Sequence, residues 1–186
     1  MMRLRAFCTQ ASYLINKLVN SLRELLIALF VFMILSQAIN WLRRPEPQSR
    51  ELPLAELMSE ILNRPRNLHH SKSRATIIYL WGSWCSVCEW VSPMISDLAA
   101  ERDDLRVITI AVHSGSNQRL RNYLRKKELS FPVINDSHDR WRSYFGASVY
   151  PSLFIYDGQG YVQIIETGLM THVGLSLRLW WVLRHT

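Results

Sequence analysis

The stretch Ala75–Pro93, ATIIYLWGSWCSVCEWVSP, changes its apolar period halfway along. Thr76, Ile77, Ile78, Tyr79, Leu80 and Trp81 are a run of β-branched and aromatic residues that reads as a buried strand. Gly82 and Ser83 break it. From Trp84-Cys85-Ser86-Val87-Cys88 onward, Val91, Met94, Ile95, Leu98 and Ala99 recur at helical spacing. Cys85 thereby falls at a helix N-terminus, where unpaired N–H groups and the helix dipole favour negative charge. A thiolate there is stabilised relative to the thiol, and the thiolate is the attacking species in disulfide exchange. Cys88 follows one turn later on the same face, within reach to close a disulfide or to resolve a mixed one.

Two other roles compete for such a pair. A structural zinc site needs four ligands. The only other cysteine is Cys8, beyond an apolar segment, and His69, His70 and His113 make no paired H-x-x-x-H set. A purely structural disulfide closing so short a ring constrains little chain entropy. The strand–turn–helix context favours redox use over both.

Pro93 stands five residues past the second cysteine, and Tyr150-Pro151 precedes an apolar strand. With Trp84-Cys85-x-x-Cys88, these motifs resemble the thioredoxin superfamily, and more narrowly its membrane-anchored TlpA/ResA-like branch. Phe131-Pro132-Val133-Ile134-Asn135-Asp136 and Gly174-Leu175-Ser176-Leu177-Arg178-Leu179-Trp180-Trp181 are similar to the D-type suppressor-of-copper-sensitivity proteins of that branch. The resemblance implies an α/β thioredoxin-like fold, a mixed central sheet flanked by helices with a TlpA-type insertion, behind one N-terminal transmembrane helix. It implies catalytic Cys85 and Cys88, with Trp84, Tyr150 and Pro151 docking the substrate and a cis Tyr150–Pro151 bond against the active-site disulfide. Protein disulfides or dithiols are the implied substrates, and a membrane protein the implied electron donor. Nothing in the chain resembles a flavin or nicotinamide fingerprint, so no cofactor is expected.

The tethered relatives imply a reductant, serving copper or redox stress tolerance or cytochrome maturation. A thiol oxidase or isomerase using the same cysteines is one alternative. A Cu(I)-binding module is another, with Cys85 and Cys88 as soft ligands and Met94, Met170 and His172 as recruits. One residue departs from the family pattern. Thioredoxins carry a buried acid six residues before the first cysteine, and Tyr79 stands there in this chain. An uncharged phenol is no base near neutral pH. Glu89 is the nearest acid, and a surface role is expected for it.

Lys and Arg number 22 against 15 Asp and Glu, a formal net charge of +7. The arginines are scattered, and the densest group, Arg119, Arg121, Arg125, Lys126 and Lys127, falls on one predicted helix. A solvated face accounts for it, with weak attraction to anionic lipid or an acidic partner second and no nucleic-acid partner. Residues 1–24 read as a cytoplasmic N-terminal segment carrying Arg3, Arg5, Lys17 and Arg23, with Leu14, Ile15, Leu18, Val19 and Leu22 at helical spacing. Residues 25–42 read as a transmembrane anchor; eighteen residues at 1.5 Å give about 27 Å, enough for a thin bilayer. Ser36-Gln37-Ala38 offers the competing reading of a signal-peptide cleavage site. The positive-inside count barely discriminates. The periplasm suits an exchange-active pair, so the N-terminus is expected in the cytoplasm, at the bacterial inner membrane.

Residues 43–74 read as a linker and lead-in, with an exposed tether over Pro45, Pro47, Gln48, Ser49 and Arg50 and a short amphipathic helix ended by Pro65. The roughly 140 residues after Arg44 are close to the commonest domain size, and within them residues 75–186 read as the thioredoxin-like domain that the resemblance implies. Within it the pattern predicts a strand Leu105–Val112 parallel to the first, a helix Asn117–Glu128, a strand Phe131–Ile134, a helix Asp136–Phe145 and a strand Leu153–Tyr156. A tight hairpin over Asp157–Gly160 follows, then the strand Tyr161–Glu166 and a helix Leu175–Leu183; between them Thr167-Gly168 resembles the family's glycine, which the resemblance implies lies beside the active site.

Overall fold

The computed structural model describes residues 17, 20–36, 38–39, 44–62 and 73–185. The chain divides into two units, Met1–Leu42 and Arg43–Thr186. In the first, helix α1 runs over residues 20–36 and leaves Leu25, Ile27, Phe30, Phe32 and Ile34 exposed. Among the described residues, no helix is long and apolar enough to cross a membrane. The anchor expected over 25–42 takes in residues 37 and 40–42, which lie outside the described ones, as do Cys8, Pro65, His69 and His70.

The second unit is built on one five-stranded sheet in the order β3-β2-β1-β4-β5. Its strands are β1 (Ala75–Trp81), β2 (Leu105–Val112), β3 (Val133–Asp136), β4 (Ser152–Asp157) and β5 (Val162–Thr167). β1 runs parallel to β2, and β2 parallel to β3, whereas β4 is antiparallel to both β1 and β5. The sheet is therefore mixed, as the thioredoxin-like reading requires. All seven residues of β1 are buried, because helices cover the sheet on both faces. The pleat of β1 sends Ile77, Tyr79 and Trp81 into one core cluster and Ile78 and Leu80 into the other. The first cluster is closed by α3 (Ser86–Glu101), α4 (Asn117–Lys126) and α6 (His172–His185), through Val91, Ile95, Leu120, Leu124, Leu175 and Leu179. The second is closed by α2 (Leu54–Glu60) and α5 (Arg140–Tyr144), through Leu57 and Trp141. Arg140 joins those two helices, pairing with Glu56 at 2.5 Å and with Glu60.

Several boundaries differ from the sequence expectation, each for a local reason. The tether expected over Pro45–Arg50 lies along the domain instead: Pro45 is buried, Gln48 N donates to the Tyr144 carbonyl (2.8 Å), and Val162 N to the Arg50 carbonyl (3.0 Å). Gly146 admits this segment, since a Cβ there would collide with the Glu46 carbonyl. β3 starts at Val133 rather than Phe131, because Pro132 has no N–H to give the ladder; its carbonyl accepts from Thr109 N at 2.9 Å. α5 is shorter than Asp136–Phe145. Asp139 sits in the left-handed region at φ 60°, and Asp136 Oδ2 is spent accepting from Arg142 N at 2.7 Å. α2 ends at Glu60, where Ile61 turns extended, and not at Pro65. α6 begins three residues earlier than expected, at His172, with Thr171 Oγ1 accepting from Gly174 N (3.1 Å) in the manner of an N-cap. The Asp157–Gly160 hairpin is as expected: Asp157 Oδ1 accepts from Gln159 N and Tyr161 N, each at 2.9 Å, and Gly160 takes φ 88°.

Candidate functional site

β1 ends at Trp81, and the chain turns over Gly82, Ser83 and Trp84 before α3. Cys85 is the N-cap of α3, with extended φ −93° and ψ 112°. Its sulfur accepts a hydrogen bond from Cys88 N at 3.2 Å, the place a serine or aspartate oxygen takes in an ordinary cap. The N–H and the helix dipole both favour an anion on that sulfur. Cys85 and Cys88 are joined as a disulfide, with Cα atoms 5.2 Å apart. Cys85 retains 9% of its surface and Cys88 only 1%, so an incoming sulfur reaches Cys85 first.

The turn ahead of Cys85 is held from the end of β2. Ser83 N donates to Ser114 Oγ (3.0 Å), and Ser114 Oγ donates to the Val112 carbonyl (3.2 Å). The same carbonyl accepts from Trp84 Nε1 at 3.0 Å. Cys85 N donates to the Gly82 carbonyl at 3.1 Å. The Trp84 indole lies over Gly82, where a Cβ would stand 2.6 Å from Trp84 Cε2, and meets the Tyr150 ring edge-on at 5.5 Å. Trp84 is still 57% exposed, and Trp90, two residues past Cys88, is 81% exposed.

Tyr150 and Pro151 come from the loop before β4. The Tyr150–Pro151 bond is cis, as the resemblance implies. Ser152 is opposite Leu80 in the β1–β4 register, so Pro151 falls beside Trp81, where the active-site turn begins. The Pro151 carbonyl accepts from Gly168 N at 2.8 Å, which brings Gly168 to this end of the sheet. Burial pushes the Tyr150 phenol up.

Tyr79 is wholly buried, and its hydroxyl lies 3.1 Å from Ser92 Oγ, on α3 one turn beyond Cys88. Burial pushes its phenol far above the ordinary tyrosine range, so a neutral hydroxyl pair fills the position where the family carries an acid. Glu89 is ion-paired with Lys127 at 3.0 Å. Met94 and Met170 pack against the core, and the described residues hold no group of three His, Cys, Asp or Glu that suits a metal. Sequence reasoning missed Gly82, Ser114 and the Val112 carbonyl. A backbone acceptor has no sequence signature, and the only hint of the others was that Gly82 and Ser83 interrupt an apolar run.

A mixed sheet covered on both faces, with a cysteine pair capping the helix after β1 and a cis proline beside it, defines a thioredoxin-like protein built for thiol–disulfide exchange. The chain belongs to the AhpC/TSA family, whose family model matches residues 50–165. It is 27% identical over 150 residues to a thioredoxin-like protein of Haemophilus influenzae, covering 80% of this chain and 86% of that one. It is 27% identical over 124 residues to the thiol-disulfide oxidoreductase ResA of Geobacillus thermodenitrificans, covering 66% and 71%. The crystal structure of the exposed lipoprotein thioredoxin of Streptococcus pneumoniae superposes with a TM-score of 0.54 at 25% identity, over 61% of this chain and 89% of that one. These matches support the TlpA/ResA-like branch and place the chain among the protein thiol–disulfide oxidoreductases.

Proposed function

We propose that the chain is a membrane-tethered reductant of protein disulfides in the bacterial periplasm. The observation that carries the reading is the Cys85 sulfur, held as the cap of α3 by the Cys88 N–H and more open than Cys88. In the dithiol form, the Cys85 thiolate attacks one sulfur of a substrate disulfide. The Cys85–substrate bond forms, the substrate S–S bond breaks, and the other substrate sulfur leaves as a thiolate. That thiolate is the acceptor at hand for the Cys88 proton, because Tyr79 is neutral and Glu89 is engaged with Lys127. The Cys88 thiolate then attacks Cys85 Sγ, closing the Cys85–Cys88 disulfide and releasing the second substrate sulfur. The substrate gains two electrons. A membrane thiol donor returns them by the same exchange run in reverse.

Trp84, Tyr150 and Pro151 dock the substrate: the exposed indole and the Tyr150 ring form a wall, and the Tyr150 backbone takes an extended substrate segment as an added strand. The apolar residues 25–42 supply the inner-membrane anchor, a reading supported by the exposed leucine, isoleucine and phenylalanine side chains of α1. The N-terminus then lies in the cytoplasm and the domain in the periplasm, where disulfides form and persist. The resemblance to D-type suppressor-of-copper-sensitivity proteins supports a duty in copper or redox stress tolerance or cytochrome maturation.

The test is trapping with the full chain. Cys88→Ser leaves Cys85 able to capture substrates it cannot release, so mixed disulfides accumulate that added dithiothreitol dissolves. Cys85→Ser captures none. Equal capture by both variants refutes the assignment of the attacking sulfur. A membrane-impermeant thiol reagent that fails to label reduced Cys85 in cells with a permeabilised outer membrane refutes the location.

A further inference from the structure

The crossover from β2 to β3 carries an excess of positive charge that the structure leaves unanswered. Arg119, Arg121, Arg125 and Lys126 of α4 are exposed, and among the described residues none of them is ion-paired. Several arginines elsewhere on the domain do meet acids: Arg102 grips Asp104, Arg140 meets Glu56 and Glu60, and Arg178 meets Glu166. Arg119 lies in the first turn, against the helix dipole, whereas Arg125 and Lys126 lie in the last turn, where the dipole favours a cation. The first turn of α4 holds no acid, although carboxylates there would suit the helix dipole. Arg121 and Arg125, four residues apart, repel each other. Arg125 donates to the Asn122 side-chain oxygen at 2.6 Å, a neutral partner, so among the described residues no carboxylate is paired with these cations and the face is open to one from another molecule.

The position of α4 points to which molecule that is. Lys127, the C-cap of α4, is bound at 3.0 Å to Glu89, the residue directly after Cys88. Tyr123 of the same helix packs on Trp81 at 5.6 Å between ring centroids, four residues before Cys85. α4 is thus braced against the segment that carries the disulfide. Beside it a cleft of about 560 Å³ opens, lined by Leu124 and Leu129, by Arg121 and Arg125, and by one carboxylate, Glu128, so that its cations outnumber its anions two to one.

We propose that α4 is a docking surface for an acidic segment of the protein partner whose disulfide Cys85 reduces. Carboxylates of the partner meet Arg121 and Arg125, and an apolar side chain enters the cleft over Leu124. Facing charges of opposite sign speed the encounter and orient the partner before sulfur chemistry begins. The inference rests on the disulfide-exchange reading above and adds the chemistry of the partner to it.

The experiment uses the full chain, reduced and in detergent. Three probes are compared: a peptide with an intrachain disulfide flanked by aspartates and glutamates, the same peptide flanked by lysines, and the small neutral hydroxyethyl disulfide. At low ionic strength the acidic peptide is reduced about tenfold faster than the basic one, and the gap closes as salt is raised. R121E/R125E inverts the preference and R121Q/R125Q removes most of it, while both variants reduce hydroxyethyl disulfide as the parent does. Equal peptide rates at low salt overturn the proposal, and so does a preference that survives R121E/R125E. A rate indifferent to peptide charge but responsive to the anionic lipid content of a nanodisc overturns it in favour of a membrane-surface role. Failure to reduce hydroxyethyl disulfide at all overturns the exchange reading itself, and this inference with it.

Discussion

Gly82→Ala isolates how the active-site turn is held. The backbone at Gly82 lies outside the left-handed region, so alanine can adopt it without strain, and the cost of the substitution is steric. The added Cβ would stand 2.6 Å from Trp84 Cε2 and 2.7 Å from Nε1, closer than such atoms approach. The indole must swing away. It then loses the Nε1–Val112 bond, worth about 1 kcal/mol, and the edge contact with Tyr150, worth about 0.5–1.5 kcal/mol. Together these predict a loss of about 1.5–2.5 kcal/mol, read as a fall of roughly 5–10 °C in the Tm of the catalytic domain. A docking wall displaced with the indole also raises KM for peptide disulfides. The attack of Cys85 on a small disulfide changes less, since its cap to Cys88 N is untouched. A double-mutant cycle with Trp84→Ala decides the matter by urea unfolding. Without the indole the new methyl meets none of the three atoms nearest to it, so Gly82→Ala costs nothing more, and the coupling energy equals the single-variant loss. If Gly82→Ala is as costly in the Trp84→Ala background as in the parent, the account of the turn is wrong.

Three further perturbations read other parts of the same scaffold. Ser114→Ala orphans the Ser83 N–H and is expected to lower stability by about 1–2 kcal/mol and to slow alkylation of reduced Cys85; Ser114→Thr, which keeps the hydroxyl, restores the alkylation rate. Tyr79→Phe removes a buried hydroxyl pair at a cost of about 1 kcal/mol and leaves the pH profile of exchange between pH 6 and 9 unchanged, as followed by peptide reduction. The sign of the Tyr79 effect at high pH follows from its raised pKa: the unfolded chain releases the phenol proton near pH 10 and the native state holds it, so stability is full below that and falls as pH rises through it. Tyr79→Phe flattens that decline in alkaline unfolding curves, leaving the share of Tyr156, also raised by burial. Asp157→Ala frees two turn N–H groups and Gln163 Nε2, and is expected to cost about 2–3 kcal/mol in urea, with peptide reduction at 25 °C unaltered.

What could be read from the sequence follows what side-chain pattern encodes. LRVITIAV became β2 at both ends as read, because nothing in it is ambiguous between strand and turn. The cysteine pair was legible for another reason: its chemistry is fixed by two residues, and the period change from β1 to α3 sets it at a helix start whatever the tertiary packing. The run Pro45–Arg50 was misread because prolines, glutamine and serine give the same composition free in solvent or bonded along a domain. Partners far along the chain, Tyr144, Gly146 and Val162, distinguish the two. Asp139 at φ 60° shortened α5 against an aromatic pattern that favoured a longer helix. Ser114 could not be found at all, since its role depends on where β2 ends relative to a turn thirty residues earlier.

The two sulfurs are treated unequally by one helix, and that inequality is what would order the proposed reaction. Cys85 takes the cap position, receives the Cys88 N–H and keeps some contact with solvent, so its anion is favoured and reachable. Cys88 stands inside the first turn, among Val91, Ile95 and the rest of the first core cluster, where burial disfavours an anion. Tyr79 and Ser92 offer hydroxyls nearby but no negative charge to draw the proton away. In the proposed mechanism the departing substrate thiolate is what draws the Cys88 proton away. On that proposal resolution is triggered by the first attack and does not compete with it, and two electrons pass in sequence without an acid where Tyr79 stands.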